Sequence, residues 1–286
     1  VYGALVSTWP AASGVVVEDG IAYVAAGIVN YDGTYVYALD AETGRIKWQN
    51  NSSGHLNAQA RCGVGVQGHL LLHDGGLYLA GGNAVSPAIY DTKDGKCLND
   101  PNLVQTLTQN NVLLSQSPRG WELSLLGNQV VACGKPFYAH PKYDVYDPTV
   151  FNKVFLTSSA GKDIVWVSNQ KSKQILCFAH IDRNMLNQSM ANPQNQFLLD
   201  WAKLGVKEEP LWRYQCDQSV AIAVCGNAVV VAEKEKIAAL NLENGSLLWS
   251  HDLPSPAVPW GIAVNRNGRV VVALEDGSVL CFGLPR

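Results

Sequence analysis

A short strand, a glycine-bearing turn and a second short strand recur along this chain, and no other feature narrows its fold as far. Residues 15–25 read VVVEDGIAYVA and residues 70–80 read LLLHDGGLYLA. Residues 122–132 (ELSLLGNQVVA), 220–231 (VAIAVCGNAVVV) and 262–273 (IAVNRNGRVVVA) repeat the unit, and a weaker copy sets Val154-Phe155-Leu156 against Ile164-Val165-Trp166-Val167. Six hairpins of this kind predict an all-β chain.

A second signature follows the hairpin. Residues 38–48 read ALDAETGRIKW, and residues 239–249, ALNLENGSLLW, keep the same spacing; Asp91-Thr92-Lys93-Asp94-Gly95-Lys96 is a fainter copy. A third strand, a tight turn and a fourth strand explain the pattern. Asp40 or Asn241 bonds the turn amides, Gly44 or Gly245 takes a positive φ, and Trp48 or Trp249 covers a neighbouring sheet. Four antiparallel strands per unit make a propeller blade.

With these motifs the sequence resembles the quinoprotein-like β-propellers, whose blades carry A-x-D-x-x-T-G-x-x-x-W. That group includes the pyrroloquinoline-quinone alcohol dehydrogenases and many non-catalytic propellers, among them the lipoprotein of the outer-membrane barrel-assembly machine. The match is strong at 13–50 and 216–252, fair at 60–99 and 257–284, and poor at 100–120 and 134–210. Residues 5–10 and 32–40 look most like the large uncharacterised quinoprotein-like proteins of environmental bacteria. The resemblance implies a periplasmic or secreted protein.

The expected architecture is therefore one β-propeller domain over 1–286, of about six four-stranded antiparallel blades. Either six blades close a ring, or they form an arc of a larger eight-bladed propeller. The chain begins without Met, so an upstream segment, a signal or more of the domain, is expected and favours the arc. Insertions interrupt the rhythm at about 100–115, 135–148 and 183–210. In the last, Phe197, Leu198, Trp201 and Leu204 are spaced for one face of a short capping helix.

Composition excludes several function classes. With 47% hydrophobic and 16% charged residues and a net charge of −3, the chain is neither a disordered tail nor a basic nucleic-acid binder. No uncharged apolar run reaches the roughly 18 residues of a membrane-spanning helix. Seven cysteines include no CxxC and no adjacent pair, which excludes zinc ribbons and c-type haem attachment. Cys177 and Cys281 sit at matching places in two similar strands and are expected as buried thiols. Cys216 and Cys225 are placed so that a disulfide across neighbouring strands is conceivable.

A quinoprotein dehydrogenase needs adjacent cysteines over the cofactor, a tryptophan floor and a calcium cage. The adjacent cysteines are absent, and no Glu, Asn and Asp set stands out at strand starts. The reading leans away from an enzyme and expects no catalytic residue, cofactor or metal. One cluster has chemical potential: His140, Tyr143, Asp144, Tyr146 and Asp147 crowd a short loop, although such residues are commonly solvated. His69 and His73 bracket a strand with spacing that puts both on one face. No nucleophile elbow, Walker loop, HExxH or dinucleotide fingerprint occurs.

A non-catalytic binding scaffold remains, its partners proteins or further blades of the same propeller. The alternative is an extracytoplasmic carbohydrate-binding or carbohydrate-active propeller, with the 135–148 loop as a sugar platform and a glycan as its ligand. Trp9, Tyr31, Trp121, Tyr138, Tyr143, Tyr146, Trp212 and Trp260 are the aromatic candidates for such a surface, some of them expected to pack between blades instead.

Overall fold

The computed structural model describes residues 11, 13–27, 33–53, 64, 66, 68–80, 87–98, 122–126, 128–133, 153–168, 173–181 and 209–283. Two compact units divide the chain. One takes Val1–Ser124, Val130–Asp147 and Leu186–Leu199; the other takes Leu125–Gln129, Pro148–Met185 and Asp200–Arg286.

In the first unit, β1 (Val15–Glu18), β2 (Ile21–Ala26), β3 (Tyr35–Asp40) and β4 (Ile46–Asn50) form an antiparallel sheet in sequence order. β5 (Leu70–His73), β6 (Gly76–Leu79) and β7 (Ala88–Asp91) form a second, extended by a single bridge from Tyr90 to Cys97. A two-stranded hairpin, β8 (Glu122–Leu126) and β9 (Gln129–Cys133), falls across the boundary between the units.

The second unit holds three sheets, again in sequence order. β10 (Lys153–Ser159), β11 (Lys162–Ser168), β12 (Lys173–Phe178) and β13 (Trp212–Gln215) make the first. β14 (Ser219–Val224), β15 (Ala228–Glu233), β16 (Lys236–Asn241) and β17 (Leu247–Asp252) make the second. β18 (Ala257–Val264), β19 (Val270–Leu274) and β20 (Val279–Phe282) make the third.

The fold is thus all-β and built of propeller blades, but among the described residues five sheets of three or four strands stand where about six blades were expected. The hairpin at 122–133 does form, yet among the described residues it gathers no third strand.

Local chemistry sets the hairpins. In the turns Asp19-Gly20 and Asp74-Gly75 both residues have positive φ, between 47° and 74°. Two central residues with positive φ match the right-handed twist of the flanking strands, and Asp-Gly adopts them at low cost. Ala160-Gly161 does the same with φ of 48° and 74°, although alanine pays a steric penalty there. This explains why the β10–β11 hairpin reads weakly in the sequence and still pairs over seven residues, Lys153 with Ser168 through Ser159 with Lys162.

Packing between sheets then decides burial. Tyr23, Ala25, Val36 and Ala38 on one face of the first sheet meet Leu77, Leu79, Ala88 and Tyr90 of the second. Val64 and Val66, from the glycine-rich stretch before β5, are buried in the same cluster. The two central strands of the β14–β17 sheet are buried on both faces. Val229, Val231, Ala238 and Leu240 pack toward the β10–β13 sheet, and Val230, Ala232, Ile237 and Ala239 toward β18–β20. Hence β15 and β16 read as unbroken apolar runs, each fully buried Val, Leu or Ile worth about 1.5–3 kcal/mol.

The cysteine expectations divide. Cys177 is buried, but Cys281 is exposed, because β20 turns it to the face away from the β14–β17 sheet. Cys216 and Cys225 are both free thiols, so no disulfide joins them.

Candidate functional site

The signature turns were read as a blade-docking device, and the structure supplies the geometry. Asp40 Oδ1 accepts from Thr43 N at 2.9 Å and Thr43 Oγ1 at 2.7 Å. Asn241 Oδ1 accepts from Glu243 N at 2.8 Å, and Asp91 Oδ1 from Lys93 N at 2.8 Å. Each turn closes with the glycine amide on the carbonyl of its first residue: Gly44 N to Asp40 O, Gly95 N to Asp91 O, Gly245 N to Asn241 O. At the half-buried Asp40, the Thr43 side chain and then its amide hold the carboxyl below the usual carboxylate range, with Lys47 at 3.6 Å a lesser aid.

Indoles seat on these turns. Trp48 lies over Gly95 of the next sheet and donates Nε1 to Thr92 O at 2.8 Å. Trp212 lies over Gly245 and donates to Leu242 O at 2.8 Å. A Cβ on Gly95 or Gly245 would come within 2.4 or 2.7 Å of indole carbons, so both positions need glycine for space as well as for φ. Asn50 reinforces the first joint by donating Nδ2 to Gly95 O at 2.8 Å.

Trp212 was placed among the exposed aromatics; it is instead buried, opposite Cys177 on β12. The corresponding partners of Trp48 and Trp249 are Ala38 and Ala239, so all three tryptophans hold one position on a fourth strand. The signal was available in Leu211-Trp212-Arg213-Tyr214. It was hidden because β12 and β13 are joined by residues 179–211 rather than by the short Asp-x-x-x-Gly turn. Trp249 has a different seat, stacked on Phe282 at 6.0 Å and tilted against His251 at 5.7 Å. Trp260 is half-buried, edge-on to Trp166 at 5.1 Å.

Polar groups between the second unit's sheets serve structure. Trp166 Nε1 donates to Ser219 Oγ at 2.8 Å, and buried Glu233 accepts from Asp217 N at 3.1 Å and lies 3.5 Å from the Tyr214 hydroxyl. Burial, then Glu233, pushes the Tyr214 phenol up to about 12. Burial likewise pushes Cys216 to about 12 and Cys177 to about 11, so these thiols stay protonated at neutral pH.

His140, Tyr143, Asp144, Tyr146 and Asp147 lie outside the described residues, as do Trp9, Tyr31, Trp121, Tyr138 and the 197–204 stretch. His69 immediately precedes β5 and His73 ends it, and the His73 ring lies 6.5 Å from that of Tyr78. Among the described residues, no three His, Cys, Asp or Glu side chains gather as an ion-binding group. A polar groove of about 350 Å³ opens beside the first joint, lined by Gln49–Ser52 and Asp94–Cys97.

A different surface stands out. The large exposed hydrophobic residues among the described ones are Val15, Val17, Ile46, Leu98, Leu211, Leu247, Leu248 and Val279, all aliphatic. Ile46, Leu247 and Leu248 lie on fourth strands just before the docking tryptophan, and Leu211 immediately precedes Trp212. Leu98 takes the equivalent place beside β7, its amide on Ile89 O at 2.7 Å.

Solved structures similar to the chain include a computationally designed protein, Ika8 (15% identity, 95% of this chain and 70% of that one, TM-score 0.39). Others are a chain of the mitotic checkpoint complex (10%, 97% and 80%, TM-score 0.49) and the Neurospora crassa Pan2 WD40 domain (10%, 94% and 76%, TM-score 0.47). At these identities and scores they carry no argument about function. No curated relative matches. The PQQ-like repeat family described as outer membrane protein assembly factor BamB matches residues 3–135 and 204–283, well over half of the chain. Its repeat is the blade whose turns and tryptophans are laid out above, and the chain belongs to that family.

Proposed function

We propose that this protein is a non-catalytic, extracytoplasmic binding module that docks other proteins through the outer strands of its blades. The observation that carries the reading is the aliphatic wall. In each unit, neighbouring sheets place exposed Ile or Leu at corresponding outer-strand positions: Ile46 and Leu98 in one, Leu211, Leu247 and Leu248 in the other. Exposed apolar residues on adjacent elements favour a protein partner. A sugar platform would present aromatic faces, and none of these side chains is aromatic. Membership of a family named for outer membrane protein assembly supports the same reading and the location.

The blades suit the role, since rigid joints hold the wall without ligand-induced ordering. The test is cross-linking of tagged wild-type protein in its native source, followed by binding measurements of the recovered partner against Leu98→Glu, Leu211→Glu and Leu248→Glu. Affinity should fall at least tenfold in one or more variants that melt like wild type. Unchanged affinity in all three, or binding on a glycan array with no protein partner, would return the sugar platform to first place.

A further inference from the structure

The sequence holds two Asn-Gly pairs, Asn244-Gly245 in the turn between β16 and β17 and Asn267-Gly268 in the turn between β18 and β19. Glycine has no side chain to shield its nitrogen, so in such a pair that nitrogen can reach the asparagine side-chain carbonyl. The attack is intramolecular, and it goes only as fast as the backbone brings the two atoms into line. The fold treats the two turns differently in that respect.

The Asn244 turn is held from outside. Asn241 N bonds Ser246 O and Gly245 N bonds Asn241 O, both at 2.8 Å, while Leu242 N bonds Asn227 O of the preceding hairpin at 3.0 Å. Glu243 pairs with Lys162 of the β10–β13 sheet at 2.6 Å, and the Trp212 indole lies over Gly245. The Asn244 side chain is itself engaged, its Oδ1 accepting from Ser246 N at 3.0 Å. Gly245 therefore turns its nitrogen toward Asn244 Cγ only if the turn lifts away from a neighbouring sheet.

The bonds that close the Asn267 turn are its own. Asn265 N bonds Arg269 O at 2.9 Å, Gly268 N bonds Asn265 O at 3.0 Å, and Asn265 Oδ1 accepts from Asn267 N and Arg269 N, both at 2.9 Å. Asn267 and Gly268 are exposed, and a Cβ on Gly268 would meet nothing within 4 Å. Among the described residues the Asn267 side-chain amide has no hydrogen-bond partner. Opening one surface bond frees Gly268 N, and local openings of that kind cost far less than parting packed sheets.

We infer that Asn267 is a site of spontaneous deamidation, and that Asn244, in the same dipeptide, is protected by the fold. Gly268 N attacks Asn267 Cγ; the N–Cγ bond forms, the Cγ–Nδ2 bond breaks, and the proton of Gly268 N leaves with the Nδ2 group as ammonia. Water then opens the cyclic imide. Addition at Cγ gives aspartate, and addition at the Asn267 backbone carbonyl carbon gives isoaspartate, whose main chain runs through Cγ and is longer by a methylene. No electrons are transferred, and water is the only co-reactant. Either product sets a new carboxylate between Arg266 and Arg269 on the β18–β19 hairpin. The inference goes beyond the proposed function and does not rest on it.

The test is ageing of the full-length protein at mildly alkaline pH, with aspartate and isoaspartate at both positions followed by peptide mass mapping. In the native state Asn267 should lose its amide roughly tenfold faster than Asn244, and in urea, where only the shared dipeptide is left, the two rates should converge. Trp212→Ala should raise the Asn244 rate and leave that of Asn267 unchanged. Lys162→Ala loosens the same turn without emptying the core, and it should raise the Asn244 rate by a smaller factor. Equal native rates at the two sites, an intact Asn267 after ageing that converts both in urea, or an Asn244 rate indifferent to both substitutions would overturn the assignment.

Discussion

The two filled joints, Trp48 on Gly95 in one unit and Trp212 on Gly245 in the other, make the same contact from different local sequences. Trp48 follows a short Asp-x-x-x-Gly turn; Trp212 follows a connection running from 179 to 211. In both, the indole nitrogen meets a carbonyl three residues before a glycine at 2.8 Å. The joint is therefore defined by the tryptophan and the turn that receives it, and is indifferent to how the chain reaches the tryptophan. This allows a long insertion within a blade without loss of the interface, since loop length adds only a slowly growing entropy cost.

The joints differ in depth, and this makes the sharpest test. Trp212 is buried while Trp48 is only half-buried. Trp212→Ala should destabilise by about 3–5 kcal/mol, and Trp48→Ala by roughly 2–3 kcal/mol, in urea unfolding followed separately for the two units by hydrogen exchange. Equal losses would mean that the hydrogen bond rather than packing dominates the joint.

A smaller effect distinguishes the turns by charge. Asp40 has its carboxyl held low, so its contribution is present above the unfolded value near 3.8 and is lost as pH falls through the lower folded value. Asn241 does the same work without a titrating group. Asp40→Asn should flatten the acid limb of the Tm profile below about pH 4, and Asn241→Asp should steepen it. An acid limb unchanged in both variants would show that these side chains leave stability untouched.

The thiols give the least energetic contrast and the cleanest chemical one. At pH 8, iodoacetamide should modify exposed Cys281 in the native protein and leave buried Cys177 and Cys216 unreacted, read by peptide mass mapping. Cys281→Ser should change stability by no more than about 0.5 kcal/mol. Rapid alkylation of Cys216 would mean that the β10–β13 and β14–β17 sheets part readily.

Much of this was legible in sequence because it is local chemistry. The Asp-Gly hairpin turns, the Asp40 and Asn241 caps and the positive-φ glycines follow from a few adjacent residues. Trp212 escaped because its motif is split by an insertion, and Cys281 was misjudged because strand composition does not say whether a neighbouring sheet covers a face. The blade count failed for a related reason: residues 122–133 carry a hairpin's local signal, but the number of strands that join a hairpin depends on distant chain. Of the candidate site, the His140–Asp147 cluster falls outside the described residues, while the aliphatic wall had no motif to announce it.

The sequence by itself determined the all-β class, the blade repeat, the turn geometry and the family, all of which rest on two-residue and short-turn periodicities that neighbouring residues enforce. Only the tertiary structure decided which tryptophan meets which glycine, which thiols are sealed, and which leucines stay in water. Those outcomes depend on sheets packing face to face, and burial is a property of the surface that arrives from elsewhere in the chain.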